Sequence, residues 1–160
     1  MPRVVLYQPQ IPPNTGNVAR TCAATGTELH LVEPLGFEIS DRTLKRAGLD
    51  YWPWVPLHRH ADWQTFLAHR QRRGGRLLAL SRHASVNYLS CDYCDDDWLL
   101  FGRETDGLPC AVLDQCDQRL AIPMPCSSDR AEGGVRSLNI SVSVGIVLFE
   151  ALRQLDVISP

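Results

Sequence analysis

The chain alternates short apolar runs with segments whose apolar residues recur at helical spacing. Val4-Val5-Leu6-Tyr7, Leu29-His30-Leu31-Val32, Arg76-Leu77-Leu78-Ala79-Leu80 and Trp98-Leu99-Leu100-Phe101 predict strands, and Leu120-Ala121-Ile122-Pro123 a shorter one. Continuous runs of this kind suit strands covered on both faces, as in a parallel sheet. Between them the pattern predicts helices over Thr15–Thr25, Asp62–Arg70 and Ala111–Cys116. The clearest periodicity comes last: Ile140, Val144, Val147, Leu148, Ala151 and Leu155 form one apolar stripe, with Asn139 placed to cap it. Strand–helix alternation implies an α/β fold, a mainly parallel sheet with helices on both faces. With 160 residues, no internal repeat and no linker, a single domain over residues 1–160 is expected.

Such sheets bind ligands beyond the carboxyl ends of their strands. Three loops there share a chemistry: Asn14-Thr15-Gly16-Asn17 after the first strand, Gly102-Arg103-Glu104-Thr105-Asp106-Gly107-Leu108-Pro109 after Phe101, and the long loop from Met124 to Arg136-Ser137-Leu138-Asn139. Each offers backbone N–H groups, small residues and amide or hydroxyl side chains, although turns use the same residues without any function. Neither GxGxxG nor GxxxxGK[ST] occurs, which argues against a dinucleotide oxidoreductase or a P-loop NTPase. In the first loop, Pro12 and Pro13 should halt the strand and Asn14 should cap the following helix. That helix carries one charge, Arg20, on the side away from its apolar stripe of Val18, Ala19, Cys22 and Ala23.

Composition adds exclusions. At 44% hydrophobic and 21% charged residues the chain is globular, neither disordered nor fibrous. No apolar run approaches the ~20 residues of a membrane span, and the start lacks a signal-peptide pattern. A cytosolic protein without membrane contact is expected. A net charge of −2 argues against bulk electrostatic binding of nucleic acid. Local basic patches remain at Arg42-Lys45-Arg46 and Arg70-Arg72-Arg73-Arg76, for which a solvated face is the default reading. Of six cysteines, only Cys91 and Cys94 have metal-type spacing, with no second pair. Reduced, mostly buried thiols and no metal are expected.

Taken in order, NTGNVARTCAATG, FGRETDGLP and IPM…SLNISVSVGIVLFEALRQ resemble the three motifs of the SpoU/TrmH branch of the SPOUT methyltransferases. IPPNTGNVAR, EPLGF, RAGLDY, GRETDGLP, IPM and FEALRQL look like the small stand-alone YibK-like members, which methylate the wobble ribose of tRNA. The resemblance covers nearly the whole chain. It implies a SPOUT-type fold with a C-terminal trefoil knot, S-adenosyl-L-methionine bound in a bent form, and a homodimer. The positions matching the family's cofactor site are Leu80, Gly102, Ile122, Met124, Ser137 and Leu138, with Gly102 letting backbone approach the ligand. Those matching its polar catalytic set are Arg20, Asn14, Glu104 and Asn139, with Glu104 anchoring Asn14 or Arg20. The family proposal has Arg20 accept the proton, but arginine is an awkward base, so Arg20 is expected to hold an RNA phosphate and orient the ribose hydroxyl, with assistance to its deprotonation left open. Arg42, Lys45 and Arg46 become the expected tRNA-backbone surface.

The chain departs from the pattern in three places. The loop 125–136 is longer than usual. Val142 stands where relatives tend to carry asparagine. Arg103 replaces a small residue or proline, which either serves RNA or solvates its loop. The expected activity is 2′-O-ribose methylation of tRNA, at the wobble nucleotide (cytidine or modified uridine) of leucine tRNAs. The alternatives are the same chemistry at another tRNA or rRNA site, or a non-catalytic RNA-binding or assembly factor on this fold.

Overall fold

The computed structural model describes residues 1–38, 52–124 and 137–158. Arg42, Lys45, Arg46 and the loop 125–136 lie outside the described residues.

Seven strands form one sheet: β1 (Arg3–Tyr7), β2 (Leu29–Val32), β3 (Leu57–His60), β4 (Leu77–Leu80), β5 (Val86–Asn87), β6 (Trp98–Phe101) and β7 (Gln118–Ala121). Their spatial order is β3-β2-β1-β6-β4-β7-β5, and every pairing is parallel. Among the described residues four helices cover it: α1 (Pro12–Thr25), α2 (Trp63–Arg73), α3 (Cys110–Leu113) and α4 (Ile140–Gln154). No described helix is long and apolar enough to cross a membrane.

The alternation of side chains along each strand divides the core in two. Val4, Leu6, Leu29, Leu31, Leu78, Leu99, Phe101 and Leu120 face α1 and α4, meeting Val18 and Cys22 from one helix and Val144, Val147, Leu148, Ala151 and Leu152 from the other. Val5, Tyr7, Val32, Leu77, Ala79, Trp98 and Leu100 face Phe66 of α2 and Val112 of α3. The connection from β1 to β2 runs one way along the sheet and those from β3 to β4 and β6 to β7 run the other. A common right-handed crossover therefore puts α1 opposite α2 and α3. Each fully buried valine or leucine of α4 contributes about 1.5–3 kcal/mol, enough to hold the helix without strong local propensity.

The expected α/β class and the five predicted strands are present, with β7 beginning two residues earlier, at Gln118. Two strands escaped prediction. β3 reads Leu-His-Arg-His, polar because it is an edge, and β5 has only two residues. α3 is one turn, ending at Leu113 rather than Cys116. The start of α1 needs a larger correction. Pro12 and Pro13 open the helix at its first positions, where a missing N–H costs nothing. The cap position is Ile11, which makes no side-chain cap. Asn14 is therefore not the cap; it sits inside the first turn, and its side chain is released for other partners.

Candidate active site

All strands being parallel, their carboxyl ends share one edge. The register pairs Leu80 of β4 with Phe101 of β6 on one side and with Leu120 of β7 on the other. Leu80, Gly102 and Ile122 thus stand at three adjacent strand ends. Leu80 and Ile122 are half-buried and pack on the core beneath α1 and α4, as does Ile140. Met124 follows at intermediate exposure, and Ser137 and Leu138 are exposed just ahead of α4. The structure brings these expected cofactor positions to one edge of the sheet.

A chain of hydrogen bonds crosses the same edge. Asn14 Nδ2 donates to Glu104 Oε1 at 3.2 Å, and Asn139 Nδ2 donates to Asn14 Oδ1 at 2.9 Å. Asn139 Oδ1 accepts from Ser141 N at 2.8 Å and Ser141 Oγ at 2.7 Å, which caps α4 as expected. An ionised carboxylate can only accept, so Asn14 must turn its amide nitrogen toward Glu104. Its oxygen then faces Asn139, which must present its own nitrogen and keep its oxygen for Ser141. Every orientation along the chain is set by the carboxylate at its head.

Glu104 also does what Asn14 does not. Its Oε2 accepts from Gln10 N at 2.8 Å and its Oε1 from Ile11 N at 3.2 Å, satisfying N–H groups at the start of α1. The anchoring of Asn14 by Glu104 is as expected; the capping of α1 from a loop some ninety residues away is not legible in sequence. Ser141 was also missed, although a serine two residues after a helix cap is a usable signal. So was Thr15, buried beside Asn14 with an Oγ1 that has no hydrogen-bond partner.

Gly102 is needed for a different reason from the one expected. A Cβ there would lie 2.3 Å from the carbonyl carbon of Gly107 and 2.6 Å from the nitrogen of Leu108. The close approach is made by the loop to itself, sealed by paired Arg103–Gly107 backbone hydrogen bonds. Gly36 plays the same part in the loop after β2, where a Cβ would meet the Gln10 backbone at 2.8 Å. Arg103 closes its loop as well: Nε and Nη2 donate to Asp106 at 2.7 and 2.5 Å, and Nη1 to Gln8 Oε1 at 3.0 Å. The guanidinium holds the Asp106 carboxyl below its ordinary range and lies over the Tyr7 ring.

Arg20 is exposed on the outer side of α1. It follows Asn14 by six residues, about 9 Å along the helix axis. The second basic patch is largely spent within the fold: Arg70 pairs with Asp117, Arg73 with Glu28 and Arg76 with Asp97.

An all-parallel α/β sheet whose strand-end loops are joined by a carboxylate–amide–amide chain is the frame of a methylase domain, and residues 1–149 match the SpoU rRNA Methylase family. The chain belongs to that family. A tRNA (cytidine(34)-2′-O)-methyltransferase of Escherichia coli (strain K12) is 44% identical to it over 157 residues, covering 97% of this chain and 94% of that protein. A Synechocystis relative, provisionally named for the same activity, is 57% identical over 155 residues and 97% of both chains. Among solved structures, one addressing 2-OH methylation of C/U34 on tRNA superposes with a TM-score of 0.87 at 48% identity, covering 99% of this chain and 98% of that one. The AdoMet-bound rRNA methyltransferase of Sinorhizobium meliloti gives 0.80 at 31% identity, covering 96% of this chain and 56% of that one.

Proposed function

We propose that this protein is an S-adenosyl-L-methionine-dependent tRNA methyltransferase acting on the ribose 2′-hydroxyl of nucleotide 34, the wobble position. The observation that carries the reading is the Glu104–Asn14–Asn139 chain. It ties together the three strand-end loops in a protein whose relatives, matched over nearly their full length, are named for this reaction.

The residues fit the methyl donor. Half-buried Leu80 and Ile122 with exposed Leu138 offer apolar walls for an adenine, and the tightly closed loop after Gly102 presents backbone groups beside them. When bound, S-adenosylmethionine would supply a methyl group activated by its sulfonium, with S-adenosylhomocysteine as the leaving group and the hydroxyl proton passing to water. The protein's task is alignment of the acceptor. Glu104 already accepts three N–H bonds, so it holds the loops and is not the proton acceptor. Asn14 and Asn139 are positioning residues. Arg20, exposed and permanently charged, holds an RNA phosphate and orients the hydroxyl.

Pairing of two copies completes the reading. Val142 and Phe149, exposed on α4 and seven residues apart, lie on one line of the helix, with exposed Leu138 before it. This apolar line suits a second copy, which also enlarges the surface available to a tRNA. Arg42, Lys45 and Arg46 are proposed to contact its backbone.

The test is methylation of a leucine tRNA transcript by the purified protein with S-adenosylmethionine, read by mass-spectrometric mapping of ribose methylation. Methylation at nucleotide 34 is expected. Transfer at another nucleotide would overturn the target, and no binding of S-adenosylhomocysteine by calorimetry would overturn the enzyme.

A further inference from the structure

Four of the five histidines of the chain gather near the β3 edge of the sheet, on the face covered by α2. His30 lies on β2, His58 and His60 on the edge strand β3, and His69 on α2. The His30 and His58 rings stack with centroids 4.5 Å apart and 9° between planes. Their Nε2 atoms converge on one carboxylate oxygen: Glu28 Oε2 is 3.2 Å from His30 Nε2 and 3.4 Å from His58 Nε2. All three potential ligand atoms lie within 4.8 Å of one another. Nothing in methyl transfer uses them.

We infer that Glu28, His30 and His58 form a binding site for a divalent first-row transition metal ion, with Zn2+ the best match to its spacing. Two imidazole nitrogens and a carboxylate are a ligand set of the zinc type. In a tetrahedron with bonds of about 2.0–2.1 Å, ligand atoms stand roughly 3.3–3.4 Å apart, close to the two nitrogen–oxygen separations of 3.2 and 3.4 Å, and the half-exposed His58 ring must tilt out of its stack on His30 to aim its lone pair at the ion. This departs from the expectation of no metal, which rested on cysteine spacing alone.

The surroundings suit the assignment. His30 Nδ1 is 3.0 Å from His60 Nε2, so the ring nitrogen away from the site already has a partner of the kind that orients ligating imidazoles. Arg73 donates to both Glu28 oxygens, at 2.5 and 2.9 Å. With an ion on Oε2 it keeps Oε1 and holds the carboxylate in place. His30 is fully buried, whereas the His58 side chain is 40% exposed and that of Glu28 28%, which leaves an entry path from solvent. His69 packs against the His30, His58 and His60 rings and has a buried Nε2 with no hydrogen-bond partner.

The experiment is calorimetric titration of untagged, chelator-treated full-length protein with Zn2+, followed by thermal unfolding with and without the ion. One equivalent should bind saturably and raise the melting temperature. His58→Ala, at a half-exposed edge position, should abolish that equivalent while circular dichroism shows the fold kept. Substitution of His83, the histidine outside the cluster, should leave it intact. His60→Gln should weaken it by about 10–100-fold. Mg2+ should give no response, since a nitrogen-rich set disfavours a hard ion. Absence of saturable Zn2+ binding, unchanged binding in H58A, or an equal response to Mg2+ would each overturn the assignment.

Discussion

Asn139 Nδ2 donates to Asn14 Oδ1 at 2.9 Å, joining the first turn of α1 to the cap of α4 across 125 residues of chain. The bond is directional, because Glu104 obliges Asn14 to offer oxygen and Ser141 obliges Asn139 to offer nitrogen. Its energetic share of folding is modest, about 1 kcal/mol for one neutral hydrogen bond. Its value lies in holding two strand-end loops in register.

Asn139→Asp separates those two roles. An aspartate caps α4 as well as asparagine does and suits the helix dipole, but it has no N–H for Asn14. Stability should change by less than about 1 kcal/mol, while kcat falls about tenfold or more and KM for tRNA moves little. Thermal unfolding beside steady-state methylation checks both. Unchanged kcat would show that the amide bond is structural ornament to the reaction.

Gly102→Ala tests the loop itself. The new Cβ meets backbone at 2.3 Å, which no side-chain rotation can relieve, so the Arg103–Gly107 pairing must open. A loss of about 2–3 kcal/mol in stability is expected from overpacking, with weaker binding of S-adenosylhomocysteine in calorimetry. Wild-type affinity in a protein of reduced stability would show that the loop's closure is unconnected with the donor site.

For Arg20 the expectation is the reverse. Its side chain is exposed, so Arg20→Lys should leave the melting temperature unchanged. Replacing a planar fork by a point charge should lower kcat/KM by about 10²-fold if the guanidinium aligns the acceptor. Near-normal turnover in R20K would remove the need for that fork.

Much of this was legible before any coordinates, for reasons that particular residues make plain. Strands such as Leu77–Leu80 and Trp98–Phe101 are buried on both faces, so burial wrote a continuous apolar run. β3 is an edge whose histidines pack with one another instead of with aliphatic neighbours, and no hydrophobic period marks it. The residues of the strand-end loops were named by resemblance to a family; their partners were not. Asn14 looked like a cap because asparagine usually is one. Only the tertiary fold shows a carboxylate from the loop after β6 taking over that duty. The partners of the second basic patch were out of reach for the same reason, since Asp117, Glu28 and Asp97 meet it from distant segments.

That neutralisation is uneven in its consequences at Asp97, which is fully buried while Arg76 is 41% exposed. Arg76 grips both carboxylate oxygens, at 2.9 and 2.8 Å, and the Cys94 N–H supplies a third bond. Arg76→Ala leaves a buried carboxylate with too few partners and should cost about 3 kcal/mol. Asp97→Asn leaves an exposed cation and a neutral amide, and should cost about half as much. Urea denaturation of both variants checks the order; equal costs would mean that the desolvated charge is not the dominant effect.

Alkaline pH should expose the thiols of the core. Burial pushes Cys22 up to about 12 and Cys116 up to about 11, from an ordinary value near 9, and it raises Cys91 and Tyr93 as well. In each case the folded protein keeps its proton to higher pH than the unfolded chain does. Between pH 9 and 11 the unfolded state therefore loses protons that the folded state retains, and stability falls as pH rises. Below about pH 8 both states are almost fully protonated and these groups contribute little slope. Denaturation midpoints should thus be nearly flat from about pH 7 to 8 and decline from about pH 9 to 10.5. At pH 8 alkylation of the native protein should label exposed Cys94 and Cys110 first, while Cys22, with a thiolate fraction of about 10⁻⁴, reacts only after unfolding. Rapid labelling of Cys22 in the native state would contradict its placement on the buried face of α1.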